Sequence, residues 1–232
     1  KSAGRGWFGL EAEAERVVYI SLEDPAPVML YRLKKICQVY DLPFDKVIQN
    51  LIILDGSDVD GALAVETSEY GVRSIAMTAL FSDVVDACKG AGLIFIDNAS
   101  DAFGGNEISR VQVRGFIREL RNKIARPNNA GVVLLAHIDK AGARNGTQEN
   151  SYSGSTAWHN SVRSRLAITA KKDGTVDLAQ EKLNLGKKLE RPIPLTWVDG
   201  VLAPDSNIAE GLVSEAQDDL DRLARTNPKI ER

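Results

Sequence analysis

Apolar and polar positions alternate along this chain in blocks that read as strand, helix, strand. Val17-Val18-Tyr19-Ile20-Ser21 is a β-branched and aromatic run bounded by polar residues, which predicts a buried strand. Glu23-Asp24-Pro25 follows at once, so that strand ends on two carboxylates. From Ala26 to Tyr40 the apolar residues Val28, Met29, Leu33, Ile36 and Cys37 recur at helical spacing, with Pro25 and Pro27 suited to a first turn. Leu51-Ile52-Ile53-Leu54 reads as a second strand, and Ile75, Ala79, Leu80, Val84 and Val85 predict a helix over 74–89, ended by Gly90-Ala91-Gly92. Leu93-Ile94-Phe95-Ile96-Asp97 is apolar without interruption until its closing carboxylate, as in a parallel-sheet strand buried on both faces. A helix is expected over 109–126, and Val132-Val133-Leu134-Leu135-Ala136-His137 is a further apolar strand, closed by a histidine.

This order predicts an α/β fold: a mainly parallel sheet flanked by helices, with ligands at the carboxyl ends of its strands. Residues 139–155 break the pattern, being rich in Gly, Asn, Ser and Gln with almost nothing apolar. A polar loop of more than about 15 residues is a candidate binding loop, expected to be mobile without its ligand. Beyond it, 165–170, 176–182, 194–198 and 201–202 read as short antiparallel strands, with turns at Asp173-Gly174 and Asp199-Gly200. From Ile208 a polar helix leads into a charged tail, so the expected organisation is one domain over 1–204 and an appendage over 205–232.

Composition narrows the classes. With 232 residues, 44% hydrophobic and 26% charged, the chain is a globular protein and not disordered, collagenous or coiled-coil. Its 29 Lys+Arg against 32 Asp+Glu give a net charge of -3, so any nucleic-acid contact has to come from a local patch. Neither Cys37 nor Cys88 lies in a CxxC pair, and with only His137 and His159 beside them they form no zinc-ligand pattern; they read as reduced thiols in helices. No apolar run reaches the roughly 20 residues of a membrane span and no signal sequence opens the chain, so a cytoplasmic location is expected. The sequence begins at Lys1 among glycines (Gly4, Gly6, Gly9) and reads as the interior of something longer.

The chemistry lies in a combination. Glu23, Asp97 and His137 stand at three strand ends, which would place them at one crevice. An apolar strand ending in Asp is what a Walker B motif requires, because a carboxylate beside a phosphate site holds Mg²⁺ directly or through its waters. Alone, Asp97 reads equally as a helix N-cap, Glu23 as the start of a helix, and His137 as a satisfied strand-end histidine.

Taken together, Val17 to Pro25 (VVYISLEDP), Leu93 to Asp97 (LIFID), Val132 to Lys140 (VVLLAHIDK) and Glu181 to Gly186 (EKLNLG) resemble the RecA-like ATPases of the RepA type. These are plasmid- and phage-associated hexameric replicative helicases and their relatives. The resemblance covers about Gly4 to Pro204 and implies a RecA-like fold, ATP and Mg²⁺ as cofactors, single-stranded DNA as partner and a homo-oligomeric ring. Carried over by position, Glu23 matches the glutamate that activates the attacking water, and Asp97 the Walker B aspartate that holds Mg²⁺. His137 matches the polar residue that senses the γ-phosphate and couples it to a DNA-binding loop. That loop would be 139–155, with Lys140 and Arg144 as its basic residues. Lys182 matches a basic finger that reaches the nucleotide of a neighbouring subunit, with Arg163 and Arg165 as second choices. The bland reading of Lys182 is a surface lysine. Trp7 and Phe8 are expected to cover an apolar edge, and Trp158 to anchor packing.

One required part departs from the pattern. A P-loop needs GxxxxGK[ST], whose amides cradle phosphates, and no such string occurs in the sequence. Lys1-Ser2 resembles its last two letters, but Gly4 and Gly6 follow where several helical turns are required. The P-loop strand and helix are therefore expected upstream. Two alternatives to a DNA motor stay open: a RecA-like ATPase that remodels complexes, and a non-catalytic RecA-like module that binds DNA or a protein partner.

Overall fold

The computed structural model describes residues 13–59, 62–137, 156–184 and 186–204. The loop 139–155, with Lys140 and Arg144, lies outside them, as do Trp7, Phe8 and the tail 205–232. The chain divides into two compact units, one built on Ala14–Val162 and the other on Arg163–Arg232.

The first unit carries a four-stranded parallel sheet of β1 (Val17–Ser21), β2 (Leu51–Asp55), β5 (Leu93–Asp97) and β7 (Gly131–Leu134), in the order β2-β1-β5-β7. Around it lie α1 (Ala26–Val39), α2 (Phe44–Gln49), the hairpin β3 (Ala64–Glu69) and β4 (Val72–Met77), α3 (Ala79–Ala87), the short α4 (Ala99–Ala102) with β6 (Phe103–Gly104), and α5 (Arg110–Glu119). α5 widens into π-helical turns over Leu120–Ala125 and closes as α6 (Arg126–Asn128), and α7 (Thr156–Ser161) ends the unit.

Alternation along the strands decides which side is sealed. Val18, Ile20, Ile94 and Ile96 are buried on one face, with Phe81 and Val84 of α3 and Val113, Phe116, Leu120 and Ile124 of the long helix in the same core. Burying each such side chain is worth about 1.5–3 kcal/mol, so this face dominates the unit's stability. Trp158 packs edge-on against Phe103 and Phe116, at ring separations of 5.4 and 6.3 Å, which is the anchoring role expected of it. The other face carries Tyr19 stacked on Phe95 at 5.6 Å.

The structure departs from the predicted helix over 74–89. Only Ala79–Ala87 is helical; Val72–Met77 pairs antiparallel with Ala64–Glu69. Ile75 fits a helical stripe as well as one face of a strand, and two local features decide against the helix. Tyr70 and Gly71 both adopt positive φ, as a two-residue hairpin turn needs, and Thr78 caps α3 by accepting the Phe81 N–H at 3.3 Å. Buried Gln112 ties this hairpin to α5: its Nε2 donates to Glu66 Oε2 at 2.8 Å while its Oε1 accepts the Asn106 N–H at 2.7 Å.

The second unit is an antiparallel sheet of β8 (Ser164–Ala170), β9 (Val176–Leu183), β10 (Ile193–Val198) and β11 (Val201–Pro204), in the order β11-β10-β9-β8. Its own small core is Val176, Leu178, Ile193 and Leu195, backed by Leu189 and Leu202. Asp199 and Gly200 both take positive φ, which fits the right-handed twist of the strands they join. Among the described residues no helix is long and apolar enough to cross a membrane.

Candidate active site

The parallel register sets the site. Ser21 of β1 stands beside Asp97 of β5, and the Leu22 N–H donates to the Asp97 carbonyl at 2.7 Å, so the two chains leave the sheet side by side. β7 follows one strand over: the Leu135 N–H donates to the Ile96 carbonyl at 3.0 Å and the Leu135 carbonyl accepts the Ala99 N–H at 2.8 Å. Three segments thus emerge at one sheet edge carrying Glu23, Asp97-Asn98 and His137. His137 Nε2 lies 3.4 Å from Glu23 Oε2, with both side chains more than half exposed.

Asn98, which the sequence reading passed over, joins these segments. Its side chain is buried, and its Oδ1 accepts the backbone N–H groups of Ser100 and Asp101 at 2.9 and 3.1 Å, capping α4. With the oxygen so used, the amide nitrogen has to face the other way, where it donates to Glu23 Oε2 and to Asp101 Oδ2, each at 2.8 Å. One amide therefore fixes a helix start and the Glu23 carboxylate together. The sequence did hold a signal: Asn98-Ala99-Ser100-Asp101 reads as an N-cap with an acid at N3.

Asp97 is held by Tyr19, whose hydroxyl donates to Oδ2 at 2.6 Å. Burial, and then this bond to Asp97, push the Tyr19 phenol well above its ordinary pKa, so it stays a proton donor to the carboxylate. Tyr19 was legible only as strand filler, because its link to Asp97 runs across the sheet.

These residues fit a magnesium–nucleotide site. Among the described residues no cluster of three or more His, Cys, Asp or Glu is placed to hold a metal alone. Mg²⁺ does not need one, since it commonly takes one or two carboxylates and completes its octahedron with phosphate oxygens and water. Asp97, held in place by Tyr19, is the carboxylate that would hold such an ion.

The remaining basic candidates belong to the second unit. Lys182 lies on β9 opposite Arg165 of β8; burial, and then the charge of Arg163, push its ammonium pKa down. Arg165 is committed to Glu181, Nε to Oε2 at 3.0 Å, with both side chains largely buried. Arg163 is exposed, and its carbonyl accepts the Asn184 N–H at 2.9 Å.

Comparison with known proteins agrees with this architecture. The chain is similar in fold to the crystal structure of the RadB recombinase, with a TM-score of 0.53 and 13% identity over 82% of this chain and 79% of that one. No curated protein matches its sequence. A family model described as an AAA domain matches residues 2–143. That match spans more than half of its length, so the chain belongs to the AAA domain family, on a RecA-like fold.

Proposed function

We propose that this domain is the catalytic part of an ATP-driven motor of the RepA-type helicase family, acting on single-stranded DNA as a homo-oligomeric ring, with a hexamer as the expected size. The observation that supports it most is the Glu23 carboxylate, its Oε2 bonded by Asn98, the residue after Asp97, and approached by His137. Phosphoryl transfer to water needs a positioned nucleophile and neutralised phosphate charge more than it needs covalent chemistry. Glu23 orients the water and accepts its proton. Asp97, braced by Tyr19, would hold Mg²⁺, which when bound neutralises charge on the phosphate oxygens. His137 lies 3.4 Å from Glu23 and comes two residues before 139–155 in the sequence, and it would pass a change at the γ-phosphate to the loop that carries Lys140 and Arg144. In the ring Lys182 supplies a cation to the neighbouring subunit's nucleotide; Arg163 is the next candidate, whereas the ion pair with Glu181 weighs against Arg165.

The 232 residues contain no GxxxxGK[ST] string, so the test belongs to the full-length protein. ATP hydrolysis is measured with and without oligo-dT, together with unwinding of a tailed duplex. The proposal expects hydrolysis that rises with oligo-dT and drives unwinding. Hydrolysis without unwinding would point to a remodelling ATPase, and DNA or partner binding without hydrolysis to a non-catalytic module.

A further inference from the structure

We propose that the exposed side of α5 and its π-helical extension is a second nucleic-acid interface, which holds the phosphate backbone of the strand. Arg110, Arg114, Arg118, Arg121, Lys123 and Arg126 all fall in this one helical stretch, against a single acid, Glu119. That is a local charge of +5 within a chain whose net charge is -3. All six cations are exposed, and none makes an ion pair or side-chain hydrogen bond among the described residues.

Their spacing is ordered. Arg110, Arg114 and Arg118 recur every fourth residue, a rise of about 6 Å per step along one side of a helix. Gln112, Val113 and Phe116 are buried on the opposite side, so the core fixes which side the arginines present. Like charges at this spacing destabilise their own helix, and a polyanion lying along the row removes that repulsion.

A nucleic-acid backbone fits better than an acidic protein. Protein interfaces bury an apolar, often aromatic centre and deplete it of charge, whereas this stretch carries cations along its length and, among its described residues, Val111 is its one exposed large hydrophobic side chain. Five of the six cations are Arg, whose planar fork pairs with phosphate oxygens in a bidentate way. A regular step along the helix also suits a repeating anion, and no base-reading group is needed. The choice of a single strand rests on the proposed function; the location of the contact rests on the row itself.

The test is equilibrium binding of fluorescent oligo-dT to the full-length protein across a salt series, with circular dichroism to show that each variant is folded. For the triple variant Arg114→Ala, Arg118→Ala, Arg121→Ala, affinity at low salt should fall at least about 10-fold and the salt slope should shrink by about 2, since each single-strand phosphate contact contributes about 0.7. The matching triple Lys variant should keep most of the slope. An unchanged slope in the Ala variant overturns the proposal, and if Lys140→Ala, Arg144→Ala abolishes binding in the same series, the DNA-motor reading stands without this interface. Failure of the unmodified protein to bind oligo-dT overturns both. Competition by polyglutamate as strong as by oligo-dT of equal charge overturns the choice of nucleic acid and assigns the row to an acidic protein.

Discussion

The side-chain amide of Asn98 donates to Glu23 Oε2 at 2.8 Å, while the oxygen of that amide is held by the first turn of α4. Glu23 follows a strand and has an exposed side chain, so nothing else so rigid fixes its direction. A misplaced catalytic group costs as much as about 100-fold in rate, and Asn98→Ser should therefore lower kcat about 10- to 100-fold in the full-length protein. Serine is itself a good N-cap but is too short to reach Glu23, so the melting temperature should change little while kcat falls. Loss of stability with kcat intact would make Asn98 a cap and nothing more.

Asp55 gives a pH signature. Its carboxylate accepts the Ala26 N–H at the start of α1 at 2.7 Å, the Ser57 hydroxyl at 2.7 Å and the Ser57 N–H at 3.1 Å, and these bonds hold its pKa below the ordinary aspartate value. The folded state thus favours the ionised form. That contribution is fully present above the unfolded pKa of about 3.9 and is lost as pH falls through the lower folded value. Asp55→Asn should lower the urea midpoint near pH 7, and the gap between variant and unmodified protein should close in strong acid, below both pKa values. An equal gap at both ends of the titration would show that the change acts through packing.

Lys182 is tested by mixing. If it serves a neighbour's nucleotide, Lys182→Ala and Glu23→Gln place their defects on opposite sides of one interface, and some junctions in a mixed ring recover both intact parts. Partial recovery of hydrolysis is expected, along with activity that rises more than linearly with protein concentration until the ring forms. Mixed rings as inactive as either variant alone would return Lys182 to the status of a surface lysine.

Three of the strands that build the site were legible as short apolar runs closed by a polar residue, and the parallel sheet follows from their alternation with helices; β7 instead ends at Leu134, short of the expected 132–137, and leaves His137 on the segment beyond it. Glu23, Asp97 and His137 could be picked out since strand ends are few and all three have ionisable side chains. The bonds among them were not legible. Tyr19 reaches Asp97 across 78 positions and Asn98 reaches Glu23 across 75, and no local pattern encodes a cross-strand contact. The β3–β4 hairpin was hidden for a different reason: β3 is mostly polar, with Glu66, Thr67, Ser68 and Glu69, and Ile75 of β4 satisfies both periods.

The central claim is that Glu23 activates the attacking water, and one substitution tests it most directly. Gln keeps the shape of the side chain and can still face Asn98 through its amide oxygen, but it accepts no proton. In the full-length protein Glu23→Gln should retain nucleotide affinity within about 3-fold, while steady-state ATP hydrolysis falls by about 100-fold or more, the range for loss of a general base. Near-normal turnover in this variant, with nucleotide bound normally, would contradict the account.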